Sequence, residues 1–300
     1  MSFVNEIKDE LLQQNIKKNC CKKAFLLGLL INSCKCDGNN LEVEYTLESI
    51  ADRVIELLKT LYSVKSQKSV IVKPGKKYYR VQYYSKSISN FINELSNDPE
   101  IMIADVAMFN CQLCEQSFLR GVFLAGAKLT DPQKSYQLEF SFHSDNLSIA
   151  SKVYRFLSLL GFVPKIINRK SSVGLYFKSN TTISDILYSI GAVGSSFEYS
   201  NVVIEKEIRN NENRATNCVA NNIYKSVNAS KKQIDAIEKL INSHKIDSFD
   251  DDLKTTAYIR LNNPEATLTE LTMLHNPPIS KSGLNHRLNK LCDEADSLSN

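Results

Sequence analysis

The sequence predicts an α+β protein in two parts. A duplicated domain holds two copies of one small unit of αββαα type, and an all-α domain follows that contains a helix-turn-helix. Three observations carry the prediction. Cys21, Phe25, Leu26 and Gly28 recur in register as Cys114, Phe118, Leu119 and Gly121, and a strand, a helix, a basic hairpin and a last helix follow each copy. Beyond about Gly194 the repeat stops. Near the C-terminus, leucines at helical spacing lie behind a polar face that carries no acid between Glu270 and Asp293.

Three hundred residues, 43% hydrophobic and 23% charged, suffice for two or three domains with real cores. The opening MSFVNEIKDELLQQ is amphipathic and contains acids, unlike a signal sequence, and no run is long enough to span a bilayer. The expectation is a cytoplasmic protein without a membrane partner. Its eight cysteines then read as reduced thiols. Four of them, Cys20, Cys21, Cys111 and Cys114, could supply the thiolates of a zinc site. The second CxxC pair usual in such sites is missing, however, and buried free cysteine is common. Neither a metal nor a cofactor is expected.

The first unit is assigned to residues 1–105 and the second to 106–200. Gly28 and Gly121 fall in the middle of the opening helices, where glycine costs about 1 kcal/mol relative to alanine. Close contact between the two helix backbones is the simplest compensation, and Ala125, Gly126 and Ala127 extend the small-residue face. The strands that follow contain Leu41, Val43 and Tyr45 in one copy and Leu138, Phe140 and Phe142 in the other. Helices are expected over 50–62 and 149–162, and last helices over 87–95 and 184–190. In the first hairpin, alternating residues flank the turn Pro74-Gly75. No acid occurs between Glu56 and Glu94, while eight Lys or Arg do, a local signal for anions. Lys73, Lys76, Lys77 and Arg80, with Lys165, Arg169 and Lys170 in the second hairpin, are therefore secondary candidates for a DNA surface. Lysines that merely defend a solvated edge would give the same pattern.

Residues 201–222 mix Glu205, Lys206, Glu207, Arg209, Glu212 and Arg214 with many asparagines and read as a partly helical, hinge-like linker. The helical domain, residues 223–300, is expected to hold a helix over 229–246 with Ile234, Ile237 and Ile241 inward. A second, over 250–261, would use Leu253, Ala257 and Leu261. The helix-turn-helix is assigned to about 264–291. Thr267 and Glu270 form a capping box before Leu268, Leu271 and Leu274, and Pro277-Pro278 end that short helix. Ser280 or Ser282 caps the next, in which Leu284, Leu288 and Leu291 face inward. Ser282, His286, Asn289 and Lys290 point the other way, with Asn285 and Arg287 on the shoulders and Lys281 in the first turn. Arg and Lys read guanine edges, Asn reads adenine, and serine or helix N-terminal amides hold phosphate. Ser280, Lys281, Ser282, Asn285, His286, Arg287, Asn289 and Lys290 are thus the candidate DNA-binding residues. The alternative is a solvated polar face on an ordinary packed helix. Ten Lys or Arg from Lys225 onward face eleven Asp or Glu, so the charge is polarised and non-specific affinity should be weak and salt-sensitive.

Leu119-Arg120-Gly121-Val122-Phe123-Leu124-Ala125-Gly126-Ala127 resembles the LAGLIDADG helix of homing endonucleases, and residues 26–34 resemble a weaker copy. That duplicated helix, the stretch from Asp131 to Glu139 and the C-terminal PPISKSGLNHRLNKL together resemble the WhiA family, bacterial proteins named for sporulation regulation and linked to cell division. The resemblance spans essentially the whole chain and implies a LAGLIDADG-like saddle. Active homing nucleases place an acid near the end of each such helix to hold divalent metal between scissile phosphates; here the matching residues are Ser33 and Gly126, which cannot. The resemblance therefore implies a non-enzymatic regulator of transcription, cell division and chromosome segregation, associated with the nucleoid. Its partner would be double-stranded DNA. The duplicated domain would add backbone contacts or recruit a protein such as the transcription machinery. Two rivals remain: a metal-dependent endonuclease using Asp37 and Asp131 as relocated carboxylates, and a protein-interaction scaffold that does not read DNA.

Overall fold

A helix that is apolar on every side has to be buried on every side. Two helices come close to this, α2 (Asn19–Leu30), buried from Ala24 to Leu30, and α5 (Leu113–Gly126), buried from Ser117 to Leu124, and they form the centre of the duplicated domain. In the computed structural model, which describes residues 2–32, 34–98, 101–103, 109–143 and 146–298, they cross at their glycines. A β-carbon on Gly28 would stand 2.2 Å from the Phe118 carbonyl oxygen, and one on Gly121 2.3 Å from that of Phe25. The close contact inferred from the mid-helix glycines is thus present.

After α2 come β1 (Lys35–Asp37), β2 (Asn40–Tyr45), α3 (Glu48–Tyr62), β3 (Ser66–Lys73), β4 (Lys76–Tyr84) and α4 (Lys86–Asn97). After α5 the same series repeats as β5 (Ala127–Leu129), β6 (Leu138–His143), α6 (Leu147–Leu159), β7 (Lys165–Arg169), β8 (Ser172–Phe177) and α7 (Asn180–Ser189). Each unit therefore runs αββαββα, with a short leading strand and a separate hairpin, where the sequence suggested αββαα. The antiparallel sheets have matching orders, β1-β2-β4-β3 and β5-β6-β8-β7.

Alternation decides which face of each sheet is buried. Leu41, Val43, Tyr45, Val81 and Tyr83 pack inward from the first, and Leu138, Phe140, Phe142, Val173, Leu175 and Phe177 from the second. The outer faces carry Glu42, Glu44, Arg80 and Gln82 in one case and Glu139, Ser141, Arg169 and Tyr176 in the other, set side by side by the strand register. An amphipathic helix, α1 (Phe3–Gln13), closes this unit with Ile7 and Leu11 in the core.

The chain divides into two compact units, Met1–Glu207 and Ile208–Asn300. Residues 201–222, expected to be a linker, are helical throughout, within the 50-residue helix α8 (Val193–Asn242). From 207 to 229 every residue of it is exposed. Without a core to pack against, that stretch has no apolar period to read, so the sequence suggested helix over only part of it.

The second unit has its own aliphatic core. The end of α8 contributes Ala236, Ile237 and Leu240, with Ile234 and Ile241 only half buried at its margins, so the inward face is rotated from the expected isoleucine row. A 3-10 turn (Lys245–Ser248) leads to α9 (Asp251–Asn262), N-capped by the Asp250 carboxylate, which accepts from the Leu253 amide at 2.8 Å. Helix α9 buries Leu253, Thr256, Ala257 and Arg260, leaving Leu261 half buried. Then come α10 (Leu268–Met273) and α11 (Lys281–Ser297).

Candidate nucleic-acid interface

Local chemistry sets up the α10–α11 pair. Thr267 and Glu270 make both bonds of the capping box, with Thr267 Oγ1 accepting from the Glu270 amide (3.3 Å) and Glu270 accepting from the Thr267 amide (2.7 Å). Ser280, not Ser282, caps α11, its Oγ accepting from the Gly283 amide at 3.0 Å. Between the two helices His275 is buried. Its Nδ1 donates to the Leu271 carbonyl (2.9 Å), and its Nε2 lies 3.1 Å from the Thr256 hydroxyl, which fixes the turn against α9. Thr267→Ala is expected to lower the unfolding free energy of the helical unit by about 1 kcal/mol, the usual worth of an N-cap. Urea denaturation would read it, and an unchanged midpoint would contradict it.

Leu284, Leu288 and Leu291 are buried, as their spacing requires. The other side of α11 is open. Lys281, Ser282, Asn285, His286, Asn289 and Lys290 are all exposed. Arg287 is half buried and donates to Asp252 of α9 at 2.5 Å. Asp252 is itself mostly in solvent, so this pair contributes about 0–1 kcal/mol and yields readily to a stronger anion. Seven of the eight candidate residues thus line one exposed or half-exposed helix face, while the eighth, Ser280, is occupied as the cap. Sequence reasoning missed Asp252; its distance along the chain from Arg287 hid the pairing.

The basic hairpins are arranged differently. Lys73 and Arg80 of the first donate to Glu44, at 2.5 and 2.9 Å, and Arg80 also lies 3.2 Å from Glu42. Burial alone would raise the Glu44 carboxyl, but the hydrogen bonds from Lys73 and Arg80 outweigh it and leave it below its ordinary value. In the second, Arg169 grips Glu139 with both guanidinium nitrogens, at 2.6 and 2.8 Å, and holds that carboxyl below its ordinary value too. Lys77 sits over the ring of Tyr79, 5.0 Å from its centroid. Lys76, Lys165 and Lys170 are exposed. The signal that would have exposed these pairings is alternation, which puts Glu42, Glu44 and Glu139 on the same outer faces as the arginines.

At the far ends of α2 and α5, Ser33 lies outside the described residues. Gly126 brings no carboxylate of its own and is covered by the side chain of Asn32. Asp37 and Asp131 are exposed, and Asp131 accepts from the Gln133 amide (2.9 Å) as a turn residue. Among the described residues, the one group of three or more Cys, His, Asp or Glu with converging ligand atoms is Cys20, Cys21, Cys111 and Cys114. No described helix is long and apolar enough to cross a membrane.

Comparison with known proteins agrees with both parts of this description. The family model of the WhiA LAGLIDADG-like domain matches residues 115–209, and that of the WhiA C-terminal HTH domain matches residues 213–295. A protein of Ruminiclostridium cellulolyticum named "Probable cell division protein WhiA" is 33% identical over 99% of this chain and 98% of its own. One of Alkaliphilus metalliredigens with the same name is 31% identical over the same shares. The crystal structure of full-length WhiA from Thermatoga maritima shares the fold over 99% of both chains, with 24% identity and a TM-score of 0.59.

Proposed function

This chain belongs to the WhiA family, and from that premise we propose that it is a sequence-specific regulator that reads double-stranded DNA with α11. The observation that carries the reading is the exposed face of α11: three lysine or asparagine turns without an acid, backed by Leu284, Leu288 and Leu291 and preceded by a capped helix. In a major groove, Asn285 and Asn289 are suited to adenine edges, and Lys281, Lys290 and His286 to phosphate or guanine. Arg287 would exchange Asp252 for a phosphate. The relatives' name supports a role in cell division, and we extend it to chromosome segregation and transcription, with the protein in the cytoplasm at the nucleoid.

In the duplicated domain, the compensated arginines suit a saddle that tracks a backbone weakly or engages a protein, such as the transcription machinery, rather than one that reads bases. Gly126, and Asp37 and Asp131 standing apart from any converging acidic group, support a scaffold without nuclease activity. Plasmid incubated with the protein and magnesium should stay supercoiled; nicking that the Asp131→Asn variant abolishes would overturn this part. The DNA reading is tested by repeated selection of bound duplexes from a randomised pool at two salt concentrations, with the full chain. One enriched sequence motif is expected. Recovery of unenriched duplex, or no complex at low salt, would overturn it.

A further inference from the structure

We propose that Cys20, Cys21, Cys111 and Cys114 bind one zinc ion as a closed tetrathiolate, fastening the two repeats together at the N-terminal ends of α2 and α5. These four of the eight cysteines come from two segments about ninety residues apart, yet all four sulfurs lie within 4.8 Å of one another. The distances are 3.8 Å for Cys20 to Cys111, 3.4 Å for Cys21 to Cys111, 4.0 Å for Cys21 to Cys114 and 3.6 Å for Cys111 to Cys114. A tetrahedral ion with zinc–sulfur bonds of about 2.3 Å needs sulfurs about 3.8 Å apart. The thiols therefore already stand at the vertices, and a small closing motion brings them onto one ion.

Burial pushes the free Cys21 and Cys114 thiols up, so the bound ion itself has to hold the cluster as thiolates. Two helix N-termini, neither with a side-chain cap, meet at the cluster, and their dipoles favour negative charge there. Lys17, Lys18, Lys22 and Lys23 flank the first pair in sequence, against Glu115 beside the second, which offsets the double negative charge of a zinc tetrathiolate. Cys21 and Cys114 are buried while Cys20 and Cys111 are half buried, so the ion has a way in but no open coordination position. Such a site is structural, not catalytic. Binding replaces four S–H bonds with four zinc–sulfur bonds and releases four protons to solvent, with no change of oxidation state. The chemistry of the donors selects zinc over harder divalent ions, because four thiolates without an oxygen ligand suit a soft or borderline metal. The sequence offered these four residues, but as a Cys-Cys and a CxxC rather than two CxxC pairs; the helix crossing is what brings them together.

The test uses the full chain purified under reducing conditions without chelator. Elemental analysis should find one zinc per chain, and cobalt exchanged into it should give the near-ultraviolet charge-transfer band of thiolate ligands. Cys20 and Cys111, half buried without the ion, should resist maleimide until a strong chelator is added, and chelation should lower the thermal midpoint. Cys111→Ser and Cys20→Ser should lose the metal, while Cys218→Ser, on the exposed stretch of α8, should keep it. Zinc absent from the wild type, zinc retained by both ligand variants, or a disulfide joining any of the four would overturn the proposal. If the ligand variants fail to fold, the wild-type stoichiometry and cobalt spectrum decide it alone.

Discussion

Gly121→Ala is expected to destabilise the duplicated domain by about 3 kcal/mol or more, a large share of the ~5–15 kcal/mol by which a domain is typically stable. Two terms oppose each other. Alanine is the better helix former by about 1 kcal/mol, so in an isolated helix the change would stabilise. Here the added methyl would stand 2.3 Å from the Phe25 carbonyl oxygen, 2.8 Å from the Leu29 nitrogen and 2.9 Å from the Gly28 α-carbon. All three are backbone atoms, so no side chain can swing aside, and α2 and α5 must separate along their length. Every apolar contact between the two helices then loosens together, which is why the steric term wins. Gly28→Ala should act in the same way through the Phe118 carbonyl, and the double variant should cost less than the sum, because both changes force the same separation. Urea denaturation followed by circular dichroism measures it. A midpoint for either variant equal to that of the parent would show that the helices are not held at this distance.

That crossing was legible in the sequence because glycine in mid-helix needs a reason, and two glycines in register across a repeat share one. The strand cores were legible too, since Leu138, Phe140 and Phe142 alternate with polar residues as a half-buried strand must. What escaped was short, or lacked a core to imprint a period on it. Lys35–Asp37 and Ala127–Leu129 are three-residue strands, too brief for alternation. The solvated middle of α8 holds helix without burying a face, so among its asparagines only partial helix could be read. Charge misled in a related way: the acid-free window around Arg80 is a property of the chain, while its partners Glu42 and Glu44 reach it across the sheet. The face of α11 was readable because the leucine stripe and the capping box both derive from contacts a few residues apart. The identity of the cap and the Arg287 pairing with Asp252 depend on the folded turn and on α9.

Removing the polar side chains of α11 should separate two kinds of loss. Asn285→Ala and Asn289→Ala, if each asparagine reads a base edge, should cost about 1–3 kcal/mol on the selected duplex and almost nothing on unrelated DNA. Lys281→Ala and Lys290→Ala, if they meet phosphates, should weaken binding to both by similar amounts and lower the slope of log affinity against log salt by about 1 each. Since these side chains are exposed, the circular dichroism and unfolding midpoint should stay those of the parent, so a loss of binding is not a loss of fold. Arg287 adds a test of sign. Its bond to Asp252 is exposed and weak, and a DNA phosphate competes for the same guanidinium. Asp252→Asn should therefore tighten binding modestly and increase its salt dependence, because it frees a cation and removes an anion facing the duplex. Arg287→Ala should weaken binding, and in that background Asp252→Asn should lose the part of its gain that came from releasing the arginine. Fluorescence anisotropy with the selected and a scrambled duplex measures all of these. If the alanine variants at Asn285, Asn289 and Lys290 bind both duplexes as the parent does, α11 does not enter a groove, and the polar face is merely solvated.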